Sequence, residues 1–124
     1  MKQSRYTILS RGLKRTRGEM NRAEKKYAES LGLDSEVFRF WFEPFSLRLS
    51  NPSKGQGARY TPDFMVLMND GTTYIDDVKP PGNFDDNASI VRIKTAAEMF
   101  PLWRFRVVKA KRVKDGGGFN VREV

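Results

Sequence analysis

The chain contains neither cysteine nor histidine among its 124 residues. Their absence excludes disulfides, cysteine-based zinc sites and hydrolysis with a histidine general base. Metal chemistry would then need oxygen ligands, which favours Mg²⁺, with Mn²⁺ as a substitute. No apolar run approaches the roughly 18 residues that span a bilayer, and the N-terminus is too polar for a signal peptide. We therefore expect a cytoplasmic protein without a membrane partner.

Acidic residues are outnumbered by basic ones, 15 to 23, and the formal net charge is +8. This excess favours a nucleic-acid partner through phosphate contacts, although RNA-binding or ribosome-associated proteins share the same balance. Residues 1–16 form a basic arm. In and beside this arm, we expect the following side chains to contact DNA: Arg11, Lys14, Arg15 and Arg17. A merely solvated arm is the equally open alternative.

Residues 17–109 carry the apolar patterns of one compact domain. A helix is predicted from about Arg17 to Leu31, with Thr16 and Glu19 as a capping box and Gly32 as its stop. The remaining predicted elements are strands at 37–49, 59–68 and 72–79, a helix at 87–100 and a strand at 103–109. This order predicts an α/β fold with a mixed central sheet flanked by helices. Residues 110–124 are either a hairpin or a loose tail.

Glu24 interrupts the apolar face of the first predicted helix. At about 100° per residue, it falls among Met20, Tyr27 and Leu31. A carboxylate there is costly unless it is paired or binds a metal. The alternative is a glutamate at the helix margin that reaches solvent.

Two acids and a lysine meet at the predicted hairpin of residues 59–79. Asp63 lies inside the first strand, and Asp77 and Lys79 end the second. Because strand side chains alternate, Asp77 and Lys79 share a face, and Asp76 takes the other. Two carboxylates and a lysine suit phosphodiester hydrolysis, in which a divalent cation activates water and the lysine orients it or stabilises charge. A surface hairpin with exposed charges is the alternative, but the flanking segments are strongly apolar.

The ordered motifs resemble a family of small phage and prophage endonucleases of the PD-(D/E)xK superfamily, related to the phage endonuclease I that resolves Holliday junctions. The matching segments are NRAE (21–24), FEPF (42–45), YTPDF (60–64), DVK (77–79) and IK (93–94). The resemblance covers residues 17–109 and neither end. One departure is that an aspartate replaces the commoner glutamate before x-Lys, which the superfamily accepts.

The resemblance implies the roles of individual residues. Asp63, Asp77 and the backbone carbonyl of Val78 would be metal ligands. Lys79 would be the catalytic lysine, and Glu24 the helix carboxylate that joins the metal site. Lys94 would contact a phosphate or, equally, be a solvated lysine. Glu43 is a weaker candidate for the helix acid's role and is otherwise structural.

The function implied is a Mg²⁺-dependent DNA endonuclease of phage origin, acting on duplex or branched DNA. A junction resolvase would suit a homodimer with two sites, whereas a nicking enzyme needs only a monomer. The alternative is a non-catalytic nucleic-acid-binding module with the same fold.

Overall fold

The computed structural model describes residues 18–49, 58–82 and 87–124. The four arm residues expected to contact DNA lie outside the described residues: Arg11, Lys14, Arg15 and Arg17. The capping box expected at Thr16 also lies outside them. No helix in the described ranges is long and apolar enough to cross a bilayer.

The described residues form two α-helices, seven strands and one 3-10 turn. The helices are α1 (Arg22–Leu33) and α2 (Asn87–Met99), and the 3-10 turn is Val113–Asp115. The strands are β1 (Val37–Phe42), β2 (Leu47–Arg48), β3 (Arg59–Tyr60), β4 (Phe64–Met68), β5 (Thr73–Lys79), β6 (Arg104–Ala110) and β7 (Phe119–Glu123). The chain is therefore of the α/β class, as predicted.

Five strands form a mixed sheet in the order β1-β4-β5-β6-β7, and β2 and β3 form a separate antiparallel pair. Within the large sheet only β5 and β6 are parallel, with Asp77 opposite Val107. A parallel pair needs a crossover connection, and α2 lies within it. In this order β5 is the central strand of the sheet.

A hydrophobic core lies on each face of the sheet. Tyr27 and Leu31 of α1 belong to one core, together with Val78 of β5. Ile93 of α2 belongs to the other, together with Ile75 of β5. Because β5 alternates its side chains, it contributes to both cores.

The start of α1 differs from the prediction. The helix begins at Arg22 instead of Arg17, because Asn21 and Glu24 form the capping box. The Asn21 side chain accepts a 2.8 Å hydrogen bond from the Glu24 backbone, and Glu24 accepts one of 2.9 Å from the Asn21 backbone. The stop was also wrong, since Gly32 lies inside the helix, which continues to Leu33.

Two predicted strands are each divided in the structure. The strand at 37–49 breaks after Phe42, where Glu43 has a left-handed φ of 46° and Pro44 follows. The strand at 59–68 breaks between Tyr60 and Phe64, around Pro62, which has no N–H for a strand ladder. Asp63 therefore lies between two strands and not inside one. At the C-terminus the hairpin alternative is correct, because β7 pairs with β6.

Candidate active site

Asp63 is attached to the end of β5 by its side chain. Its Oδ2 accepts a hydrogen bond of 2.7 Å from the backbone N–H of Val78. Its backbone carbonyl accepts another, also 2.7 Å, from the N–H of Glu43 at the end of β1. Both hydrogen bonds fix the break between β3 and β4, and the Asp63 carboxyl lies near Asp77.

Asp77 and Lys79 form an ion pair of 2.8 Å, with side-chain exposures of only 9% and 13%. The hydroxyl of Tyr60 lies 3.3 Å from the other oxygen of Asp77 and donates to it. The ammonium of Lys79 also donates to the hydroxyl of Ser89 on α2. Contacts on two sides therefore hold Lys79 in place.

Glu24 joins this group from α1. It is only 2% exposed, so the alternative of a glutamate reaching solvent does not describe it. Its carboxyl lies close enough to that of Asp63 to raise the pKa of Asp63. The three acids named from the sequence thus lie close together, with Asp63 in the middle.

The surroundings of Asp63 disfavour the ionised form of its carboxyl. Burial raises the pKa of its carboxyl well above the usual range, and the charges of Asp77 and Glu24 raise it further. The hydrogen bond from Val78 lowers that pKa only in part. Negative charge is therefore in excess around Asp63 even though Lys79 is present, and an added cation would reduce the repulsion.

Tyr60 remains a neutral phenol beside these acids. Burial raises its pKa above the usual range, and the neighbouring charges of Asp77 and Asp63 raise it further. A neutral phenol keeps its proton and can donate it in a hydrogen bond to Asp77. Tyr60 therefore acts as an orienting group for Asp77.

The donor chemistry of these acids fits Mg²⁺, which prefers carboxylate oxygens. Within the described ranges, however, no three acidic side chains already form a metal-ligand set. Asp77 is already paired with Lys79, and the raised pKa of Asp63 favours the protonated form of that carboxyl. Metal binding here would therefore compete with protonation of Asp63 and with the ion pair between Asp77 and Lys79.

A second buried charge pair lies on the opposite face of β5. Asp76 is fully buried and forms two hydrogen bonds of 2.7 Å with the guanidinium of Arg106. The hydroxyl of Tyr27 donates to the same carboxylate at 2.5 Å. Asp76 thus contacts the α1 side of the sheet, away from Lys79, as strand alternation predicts. This pair joins the parallel strands β5 and β6 directly behind the site.

Several contacts of the site were not found from the sequence. Ser89 and Arg106 contact Lys79 and Asp76 only because the β5–α2–β6 crossover brings them there. No local pattern connects these pairs. Tyr60 did carry a signal, since it lies in the same short motif as Asp63 and borders an apolar segment.

The structure also shows where Lys94 and Glu43, the two weaker site candidates, lie. Lys94 is exposed on α2, roughly 140° around the helix from Ser89, the α2 residue that contacts Lys79. Glu43 accepts a 2.6 Å hydrogen bond from the backbone of Gly18. It connects the segment before α1 to the end of β1, as its structural interpretation expects, and Glu24 is the acid that meets Asp63.

Comparison of the chain with protein-family models, with curated proteins and with solved structures gave no match. The resemblance to phage endonucleases therefore stays a prediction. Functional conclusions depend on the side chains around Asp63 and Asp77.

Proposed function

We propose that the protein is a Mg²⁺-dependent DNA endonuclease of the PD-(D/E)xK type. The observation that carries the proposal is the convergence of Asp63, Asp77 and Lys79 at the end of β5, with Glu24 beside them. Two carboxylates and a lysine, together with a third acid, are the groups needed to hydrolyse a phosphodiester. The net charge of +8 suits a polyanionic substrate.

The fold supports the same proposal. A mixed sheet flanked by helices is the architecture expected for this superfamily, and the acids lie at the end of a central strand. Asp63 precedes β4 and Asp77 lies near the end of β5, so two adjacent antiparallel strands present them together. The motif order that suggested the family is therefore matched by spatial proximity.

The proposed metal ligands are Asp63, Asp77 and the backbone carbonyl of Val78, with Glu24 joining them. When bound, Mg²⁺ would neutralise charge on the scissile phosphate and lower the pKa of a water molecule. Lys79 is positioned to orient the attacking water or to stabilise charge that develops on the phosphate. The neutral phenol of Tyr60 limits rotation of Asp77 through its hydrogen bond.

A non-catalytic nucleic-acid-binding module is the second candidate. It is favoured by the ion pair between Asp77 and Lys79, which already compensates the charge of one acid. Such a site is self-consistent without a metal. Acids in a phosphate-binding surface nevertheless repel DNA unless a cation intervenes, which favours the enzyme.

A cleavage panel separates the two candidates. The purified protein is incubated with linear, nicked, forked and four-way DNA in Mg²⁺, Mn²⁺ or EDTA. We expect cleavage with either metal, none in EDTA, and none by Asp77→Asn, which preserves the shape of the side chain. Exposed Asp70→Asn is the matched control and should cleave normally. DNA binding without cutting of any substrate would favour the module.

The same panel addresses branched DNA. A resolvase must cut two strands of a four-way junction, which a homodimer with two sites would perform. This role, in phage recombination or genome processing, is one specific form of the proposed function, and cutting of forks or flaps is another. Paired symmetric cuts together with a dimeric mass in solution would support it, whereas single nicks by a monomer would support a general nuclease.

A further inference from the structure

A cavity of about 530 Å³ opens between the start of α1 and the β6–β7 hairpin. Arg22 and Lys26 of α1 line one side, and Lys111 and Phe119 line the other. Pro80 and Pro81, which directly follow Lys79, complete the wall. The cavity therefore adjoins both α1, which carries Glu24, and the end of β5.

A second cavity of about 450 Å³ continues the first and shares Pro81 and Lys111 with it. It extends past Lys109 and Arg112. We call the two together the C-terminal groove. Its far side belongs to residues 110–124, which the family resemblance does not cover.

The C-terminal groove is strongly basic. Arg22, Lys26 and Lys111 line its first part, and its second part adds Arg112. Among the described residues that line either cavity, Asp115 is the one acidic residue. Among the described residues, none of these four cations is held in an ion pair. Their charge is therefore available to a polyanion.

The floor of the first cavity is apolar as well. It includes Pro80, Pro81, Phe119 and Val113, and Val113 is 84% exposed. A DNA duplex presents phosphates outward and hides its bases, so it gains little from an apolar floor. A single strand presents both phosphates and base faces, and proteins bind it with cationic grooves that include apolar or aromatic surface.

We propose that the C-terminal groove binds a single-stranded DNA segment that adjoins the cleaved bond. The inference rests on the proposed function for its choice of DNA and for the position of the cut. The β6–β7 hairpin would then help to bind the substrate. The substrate class would be DNA with an unpaired strand beside the scissile phosphate. Forks and flaps belong to this class, whereas continuous duplex does not.

Binding is tested with the full chain in EDTA, by fluorescence anisotropy with a thymidine oligomer and with a duplex of matched length. The test variants are Lys26→Glu, Lys111→Glu and Arg112→Glu. Lys25→Glu is the matched control, because it makes the same charge change on the adjacent exposed residue of α1 and does not line the groove. Thermal melting checks that each variant is folded.

Each groove variant should weaken binding of the oligomer by about tenfold. It should also reduce the steepness with which log affinity falls against log salt concentration, by about 0.7 for each phosphate that the groove no longer neutralises. Lys25→Glu and duplex binding should change by less than about twofold. An equal loss for Lys25→Glu, or an equal loss of duplex binding, would overturn the proposal.

Cleavage of a fork by the same variants separates this inference from the proposed function. Groove-dependent binding by a wild-type protein that cuts no DNA would overturn the endonuclease and leave the groove. Cutting of forks by wild type that the groove variants do not impair would overturn the groove and leave the endonuclease.

Discussion

The carboxyl of Asp63 accepts a 2.7 Å hydrogen bond from the backbone N–H of Val78, the residue between Asp77 and Lys79. This bond joins the break before β4 to the end of β5, so the two parts of the candidate site are connected by backbone geometry. It favours the ionised form of Asp63, whereas burial and two neighbouring acids oppose that form.

Asp63→Asn should therefore stabilise the metal-free protein. The pKa of Asp63 is raised in the folded state, so its contribution to stability is fully present below its unfolded pKa of about 3.9 and is lost as pH rises through the raised value. Asparagine does not titrate, and its amide oxygen can still accept from Val78. In EDTA we expect a higher Tm for the variant at neutral pH, with the difference shrinking toward pH 4.

Asp70→Asn is the control for that experiment. The backbone N–H of Thr72 lowers the pKa of the exposed Asp70, so its contribution is present above the unfolded pKa and is lost as pH falls through the folded one. Its substitution should give no gain in Tm at neutral pH. A gain as large as that of Asp63→Asn would show that the effect is a general reduction of negative charge.

Mg²⁺ should stabilise the wild-type protein and should not stabilise Asp77→Asn. A ligand that binds only the folded state adds about 2.7 kcal/mol at one hundred times its Kd. Differential scanning fluorimetry over a Mg²⁺ titration, at fixed ionic strength, measures this shift without reference to activity. A saturable shift that Asp77→Asn retains would place the cation elsewhere on the protein.

Lys79→Met should lower the rate of DNA cleavage by about 100- to 1000-fold, which is the usual cost of losing one preorganised donor. Mg²⁺-dependent stabilisation should persist, because the carboxylates remain. Ser89→Ala should have a smaller effect, since Asp77 still holds Lys79. Single-turnover kinetics gives these rates, with Lys25→Ala as a control of equal charge change. Full activity of Lys79→Met would remove this lysine from the mechanism.

Asp76→Leu should destabilise the fold by about 3–5 kcal/mol, because it leaves Arg106 without its buried partner. The double variant Asp76→Leu with Arg106→Met should recover much of that loss, since it removes both charges together. Urea denaturation of the two variants and of Arg106→Met measures the difference. If the double variant lost the sum of the two single losses, the pair would not be coupled.

Local patterns were sufficient for part of the site. Strand alternation separates Asp77 from Asp76, and helical periodicity places Glu24 among buried residues, because both periodicities follow from backbone geometry alone. The same patterns predicted the α/β class and the hairpin between β4 and β5. These features depend on residues that are close in sequence.

Other features depend on competition between capping signals or on contacts between residues that are far apart in sequence. Thr16 and Asn21 both begin plausible capping boxes, and propensity alone did not favour Asn21. The interruption at Pro62 was overlooked because the segments on both sides are apolar. Ser89 reaches Lys79 only through a helical crossover, a relationship between residues that no local pattern contains.

The hydrogen bond between the Glu24 carboxylate and the Asn21 backbone N–H has a consequence for spectroscopy. One carboxyl group both closes the first turn of α1 and lies against Asp63, so the order of that turn depends on what the acidic group binds. The Asn21 amide is therefore a built-in reporter of occupancy. Its hydrogen-exchange rate and its nitrogen-15 chemical shift should change when a cation is added, before any phosphodiester is cut.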